Sequence, residues 1–136
     1  MPGAPAVRRL PLHMDSRSRF SSQLREGIDL FNAGSFYECH DAIEEIWIQE
    51  SSDRQPLLQG LIQSAVAFHH YQHRRYGAAR AMLDLAIRKL EHCPLAYQGI
   101  QVSEFLAEIR RWKAALDELV TSGGKVDLSF PRIEIT

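Results

Sequence analysis

His40, Glu44 and Trp47 stand four and three residues apart. On a helix that spacing puts all three side chains along one side. An imidazole beside a carboxylate can serve as a pair of metal ligands, or as a general base and the group that orients it, and an indole next to them can wall a small cavity. Asp41 and Glu45, two carboxylates four apart, form a second pair one position further round, where water is the natural partner. Cys39 adjoins His40 in the chain but points about 100° away on a helix, which rules out a Cys/His nucleophile built from those two.

A carboxylate on a face that also carries Phe36 and Ile43 costs several kcal/mol to bury unless it is partnered. The next helix is the place to look. If the two run antiparallel about a turn near Ser52 and Asp53, His40 comes level with about Ala65 and Glu44 with about Leu61. Gln59, Gln63 and His70 cluster on one side of that helix, and His69 and His73 make a further pair four apart. One reading is a metal site of His40, Glu44 and His70, with His69 and His73 as rival third ligands. Such a set suits zinc, nickel or iron. Glutamine is a poor ligand for these metals, so Gln59 and Gln63, with Trp47, are candidates to contact a bound ligand or cofactor. The competing reading is a hydrogen-bonded network that only fixes the angle between two helices. The spacing is not H-E-x-x-H, and alone it is shared by many amphipathic helices.

These groups need a scaffold, and the periodicity predicts an all-α one. Phe20, Leu24, Ile28 and Phe31 mark a first helix from Ser16, with Gly34 where a left-handed cap would follow. Ser35 and Glu38 have capping-box spacing and open a second helix over about Phe36 to Glu50. Pro56 suits the first turn of a third, whose face of Leu57, Leu58, Leu61, Ile62, Ala65 and Phe68 continues to Arg74 or Arg75. Gly77 marks a break or a close helix contact. Ala79, Met82, Leu83, Ala86, Ile87 and Leu90 define a fourth helix that Pro94 terminates. A loop through Gly99 leads to a fifth, carrying Val102, Phe105, Leu106, Ile109, Trp112, Leu116 and Leu119, which Gly123-Gly124 ends. Short connections make a compact bundle of about five helices arranged as antiparallel hairpins. Residues 1–15 read as a flexible lead-in, with Met14 an alternative start, 16–122 as the helical domain, and 123–136 as an extended tail packed on it. Gly34-Ser35-Phe36 aligns with Arg74-Arg75-Tyr76, a hint of a forty-residue repeat in which too few positions agree to define a solenoid.

The 136 residues and 45% hydrophobic content suit one domain with one core. Sixteen Lys and Arg against seventeen Asp and Glu leave a net charge of -1, which gives no global pull toward nucleic acid or an anionic membrane. No apolar run approaches the roughly 20 residues of a membrane span and no signal peptide is visible, so a cytoplasmic location is expected. Two distant cysteines, Cys39 and Cys93, indicate reduced packing residues rather than a disulfide framework.

The chain resembles a bacterial and archaeal family, Domain of Unknown Function 309. The resemblance rests on Phe31-Asn32-Ala33-Gly34, Phe36-Tyr37-Glu38, His40-x-x-x-Glu44-x-x-Trp47 and Leu58-Gln59-Gly60-Leu61-Ile62-Gln63 with Ala65, followed by Gly77-Ala78 and Gly99-Ile100. It implies an all-helical fold and a suggested metal-binding role for the His-x-x-x-Glu-x-x-Trp motif, with Gln59 and Gln63 as accompanying positions and no established activity. Gln101 stands where the family pattern leads one to expect an aspartate.

Two function classes follow. The first is a metal or small-ligand pocket at His40, Glu44 and Trp47, hydrolytic if the imidazole acts as a base. The second is a tetratricopeptide-like interaction module in which the cluster is structural. A homodimer through leftover apolar faces is compatible with either.

Overall fold

The computed structural model describes residues 16–49, 54–97 and 99–135. The expected lead-in over 1–15 and the centre of the expected turn near Ser52 and Asp53 lie outside them. Among the described residues five helices make an all-α bundle: α1 (Ser16–Asn32), α2 (Phe36–Gln49), α3 (Gln55–Gln72), α4 (Tyr76–Leu90) and α5 (Val102–Ser122). Hairpin α1–α2 packs through α2 onto hairpin α3–α4, and α5 closes against α4. None of these helices is long and apolar enough to cross a membrane.

Each hairpin depends on one close crossing. A Cβ on Gly27 would stand 2.5 Å from Ile43 Cγ1, and one on Gly60 would stand 2.7 Å from Leu90 Cγ, so only glycine lets these helix pairs approach. Gly77 makes neither the break nor the close contact expected of it; it sits in the first turn of α4 with open space beside it.

The α1–α2 turn forms as its sequence predicts. Gly34 adopts φ +81°, the Ser35 amide donates to Leu30 O (2.9 Å) and the Gly34 amide to Phe31 O (2.9 Å). These are the paired bonds of a Schellman motif. The α3–α4 turn is built the same way forty residues on: Arg75 N–H donates to His70 O (2.9 Å) and Arg74 N–H to Tyr71 O (3.0 Å), with Arg74 at φ +60°. That is why α3 stops at Gln72 instead of reaching Arg74 or Arg75. An arginine does the work of a glycine there, so composition gave no warning of the turn.

Phe31 sits at the centre of the core, edge-on to Phe36 (5.0 Å), Phe68 (6.0 Å) and Phe105 (5.4 Å). Cys39 is buried among them, and burial pushes its thiol up to about 12, so it is an inert packing residue. The connection after α4, expected to be a loop, contains a minimal antiparallel hairpin of β1 (Ala96–Tyr97) and β2 (Ile100–Gln101). Strands of two residues leave no period for a sequence to display.

The last described residues run extended over the bundle as a strap. Trp112 Nε1 donates to Ser129 O (2.9 Å), Phe130 packs on an aromatic cradle, and Ile133 is buried and held by the Asn32 side chain. Gln101 N–H donates to Glu134 O (3.0 Å) and Ile135 bridges to Ile100, so the end of the strap adds itself to the edge of the hairpin.

Candidate functional site

Phe36, Cys39, Ile43 and Ile46 pin α2 to the core. With that stripe fixed, the 3.6-residue period turns His40, Glu44 and Trp47 to its flank. His40 Nε2 lies 3.4 Å from Glu44 Oε2, a loose pairing, and the Glu44 side chain is 46% exposed. Water thus relieves much of the burial cost expected for that carboxylate. Asp41 and Glu45 are exposed, as a solvated pair should be. His40 Nδ1 lies 3.2 Å from Asp41 Oδ1 but out of line for a hydrogen bond, and it is buried without a partner. Trp47 packs its indole against the core while its Nε1 is likewise buried and unpartnered.

Two contacts fix how α2 lies on α3. The Tyr37 ring is 5.4 Å from that of His69, and Gln72 Nε2 donates to Gly34 O (3.2 Å). Both give the same antiparallel register, one residue back on α3 for each residue forward on α2. His40 therefore comes level with Val66, Glu44 with Ile62, and Trp47 with Gln59. Gln63 falls level with Ile43, between His40 and Trp47 along the axis. Its Oε1 is buried and has no hydrogen-bond partner.

His70 is engaged elsewhere. Its Nδ1 accepts from Arg75 Nε (3.1 Å), which ties it to the α3–α4 turn. His69 and His73 pair with ring centroids 4.3 Å apart, and His73 Nδ1 lies 2.9 Å from His69 O. Burial, and then the neighbouring imidazoles and Arg75, hold His69 below the ordinary imidazole pKa; burial followed by Arg75 does the same for His70. Of the set His40, Glu44 and His70, only the first two are brought together. Among the described residues no group of three or more His, Cys, Asp or Glu side chains is arranged to hold a metal ion. His40 and Glu44 alone fall short of the three protein ligands a catalytic zinc-type site uses.

Tyr37 was not singled out as a site residue, yet it joins the two helices, its ring 5.9 Å from His40 and 5.4 Å from His69. Its position three before His40 was the signal available. A cavity of about 110 Å³ opens elsewhere, between α1 and the strap, lined by Leu24, Ile28, Ile100 and Ile135 among others. No candidate site residue lines it.

Residues 24–82 match the family Domain of unknown function (DUF309). The matched segment runs from within α1 to within α4 and contains His40, Glu44, Trp47, Gln59, Gln63 and His70; it bears out the resemblance drawn from the motifs through Gly77-Ala78, whereas Gly99-Ile100 lies beyond it. The chain is also similar to a protein of Aquifex aeolicus (strain VF5) described as "Uncharacterized protein", at 28% identity over 91 residues. That alignment takes in 66% of this chain and 27% of the relative, so the chain spans about a quarter of the relative's length.

Proposed function

We propose that the DUF309 segment binds a small, polar, uncharged ligand on the flank of α2 that faces α3. One observation carries this reading. Among the described residues, the buried side-chain nitrogen and oxygen atoms without a hydrogen-bond partner are His40 Nδ1, Trp47 Nε1 and Gln63 Oε1. All three belong to residues that spacing and family pattern had already marked. An unsatisfied buried polar atom costs roughly 1–3 kcal/mol, and native proteins keep few of them without a functional reason.

Their chemistry defines the ligand. Indole N–H can only donate, so Trp47 calls for an acceptor, and the Gln63 oxygen calls for a donor. His40 Nδ1 calls for one further partner whichever tautomer the ring adopts, a donor when the proton is on Nε2, facing Glu44, and an acceptor when it is on Nδ1. An alcohol, a primary amide or a nucleoside-like group meets such a demand. The His40–Glu44 pair also has the make-up of a base and its orienting carboxylate, and hydrolysis of a bound amide or ester is the reaction it would serve.

A thermal-melt screen tests this, using panels of primary amides, polyols, nucleosides and carboxylic acids, and separately Zn²⁺, Ni²⁺ and Fe²⁺. The expected result is a rise in Tm with a neutral donor–acceptor compound that is absent in Trp47→Phe and Gln63→Met. Those two variants, relieved of an orphaned atom, should themselves melt higher than the parent by about 1 kcal/mol, a few degrees. Variants that melt lower, with no compound shifting the parent, would make the cluster a structural network. One tightly held metal per chain, lost on His40→Ala, would replace the proposal with a metal site.

The matching turns at Gly34 and Arg74 favour a second reading, a helical-hairpin repeat that serves as an interaction module.

A further inference from the structure

The strap offers an inference independent of the polar flank. From Gly123 onward the chain leaves α5 without regular structure, and what holds it is a set of side-chain contacts with one ring at the centre. Phe130 lies nearly parallel to Trp112 of α5 (5.5 Å, 14°) and meets Phe36 of α2 (5.1 Å), Phe68 (5.6 Å) and Tyr71 (6.0 Å) of α3 edge-on. Three helices thus build an aromatic cradle for a single side chain. The rest of the grip is polar and specific to backbone: Trp112 on Ser129, Asn32 on both sides of Ile133, and Gln101 on Glu134.

The joint between strap and bundle has a different character. Gly123 and Gly124 adopt φ +79° and +101°, and a Cβ on either would meet nothing within 4 Å. Two consecutive residues with the full conformational range of glycine, standing in open space, form a hinge that can point the strap away from its own bundle without breaking α5. From Gly124 to Phe130 the extended chain reaches roughly 20 Å, enough to clear the surface of one molecule and enter the cradle of another. Phe130 keeps 37% of its surface exposed while seated, so the ring can enter from solvent.

We propose that the strap exchanges between two copies of this chain, the Phe130 segment of each seated in the aromatic cradle of the other. The fit of the occupant is given by the cis arrangement itself: an identical segment supplied by a second copy restores the same ring contacts, the same clamp on Ile133 and the same strand addition at Gln101. The exchange is isologous, each copy giving and receiving one segment, and so closes as a dimer instead of propagating.

Shortening the hinge decides between the arrangements. Deletion of Gly123 and Gly124 from the full chain denies the strap the reversal it needs to reach its own cradle, and light scattering should then find a concentration-dependent dimer in the parent and a larger dimer fraction in the deletion variant. Adding Phe130→Ala to the deletion should return it to monomer. As a check that does not depend on that deletion folding well, a fluorescent peptide of residues 125–135 is titrated onto full-length Phe130→Ala, whose own strap is weakened. Saturable uptake, at least tenfold tighter than by the parent, is expected. A monomeric deletion variant together with no peptide uptake overturns the proposal. Peptide uptake with a monomeric deletion variant overturns the second copy as the occupant.

Discussion

The Asn32 carboxamide grips Ile133 on both sides of its backbone: Nδ2 donates to Ile133 O at 3.0 Å, and Oδ1 accepts from Ile133 N at 2.8 Å. A residue in the last turn of α1 thereby satisfies both main-chain groups of a buried strap residue, which no neighbouring strand does.

Asn32→Ala removes both bonds at once. A net loss of about 1–3 kcal/mol is expected, read as a lower urea midpoint, together with faster hydrogen exchange at the Ile133 amide. Asn32→Asp keeps the acceptor for the Ile133 amide but loses the donor, and should fall between the two. An unchanged midpoint in Asn32→Ala would mean that the other contacts of the strap hold it without the Asn32 clamp.

Arg74 bears a backbone conformation that a side chain disfavours by roughly 1–2 kcal/mol, offset in Gly by the larger entropy of its unfolded chain. Arg74→Gly should therefore raise stability by about 0.5–1 kcal/mol, whereas Arg74→Ala should bring no such gain. Thermal melts of the pair separate backbone relief from loss of the arginine charge, since both variants remove the charge and only one relieves the backbone.

The imidazoles of His69 and His70 resist protonation in the fold. In the unfolded chain they take up a proton near pH 6.5, so the unfolded state binds more protons as the pH drops. Their contribution to stability is complete above about pH 6.5 and is lost as the pH falls through their lowered folded values. The urea midpoint should decline between pH 7.5 and 5.5, and His69→Gln with His70→Gln should flatten that decline. An identical slope in the double variant would assign the pH dependence to other groups.

Much of the scaffold could be read from residue types because the responsible physics is local. Gly34 signals a left-handed cap, Pro56 a first helical turn, and the stripes of α2, α3 and α5 a buried side. The same locality made the His40–Glu44 pairing legible, since both lie on one helix. What depended on another element was not. His70 shares a side of α3 with Gln59 and Gln63, and only the fold of the following turn hands its ring to Arg75. The seat of Phe130 is assembled from α2, α3 and α5, and nothing in a tail of scattered apolar residues says which of them is its anchor. The Arg74 turn was only hinted at, by its alignment with Gly34, for the opposite reason: its backbone is local, but the residue there is not the one that such a backbone prefers.

The chain has two tryptophans, and they stand on its two most distinctive features. Trp112 lies beneath Phe130 with its ring nitrogen bonded to Ser129, whereas Trp47 edges the polar flank with its ring nitrogen unbonded. The protein thus carries two native optical reporters with separate audiences: one senses whether the strap is seated, and the other would sense a ligand bound as proposed on the flank. Replacing either with phenylalanine leaves a single emitter, so seating and occupancy can be followed one at a time in the same molecule without any attached dye.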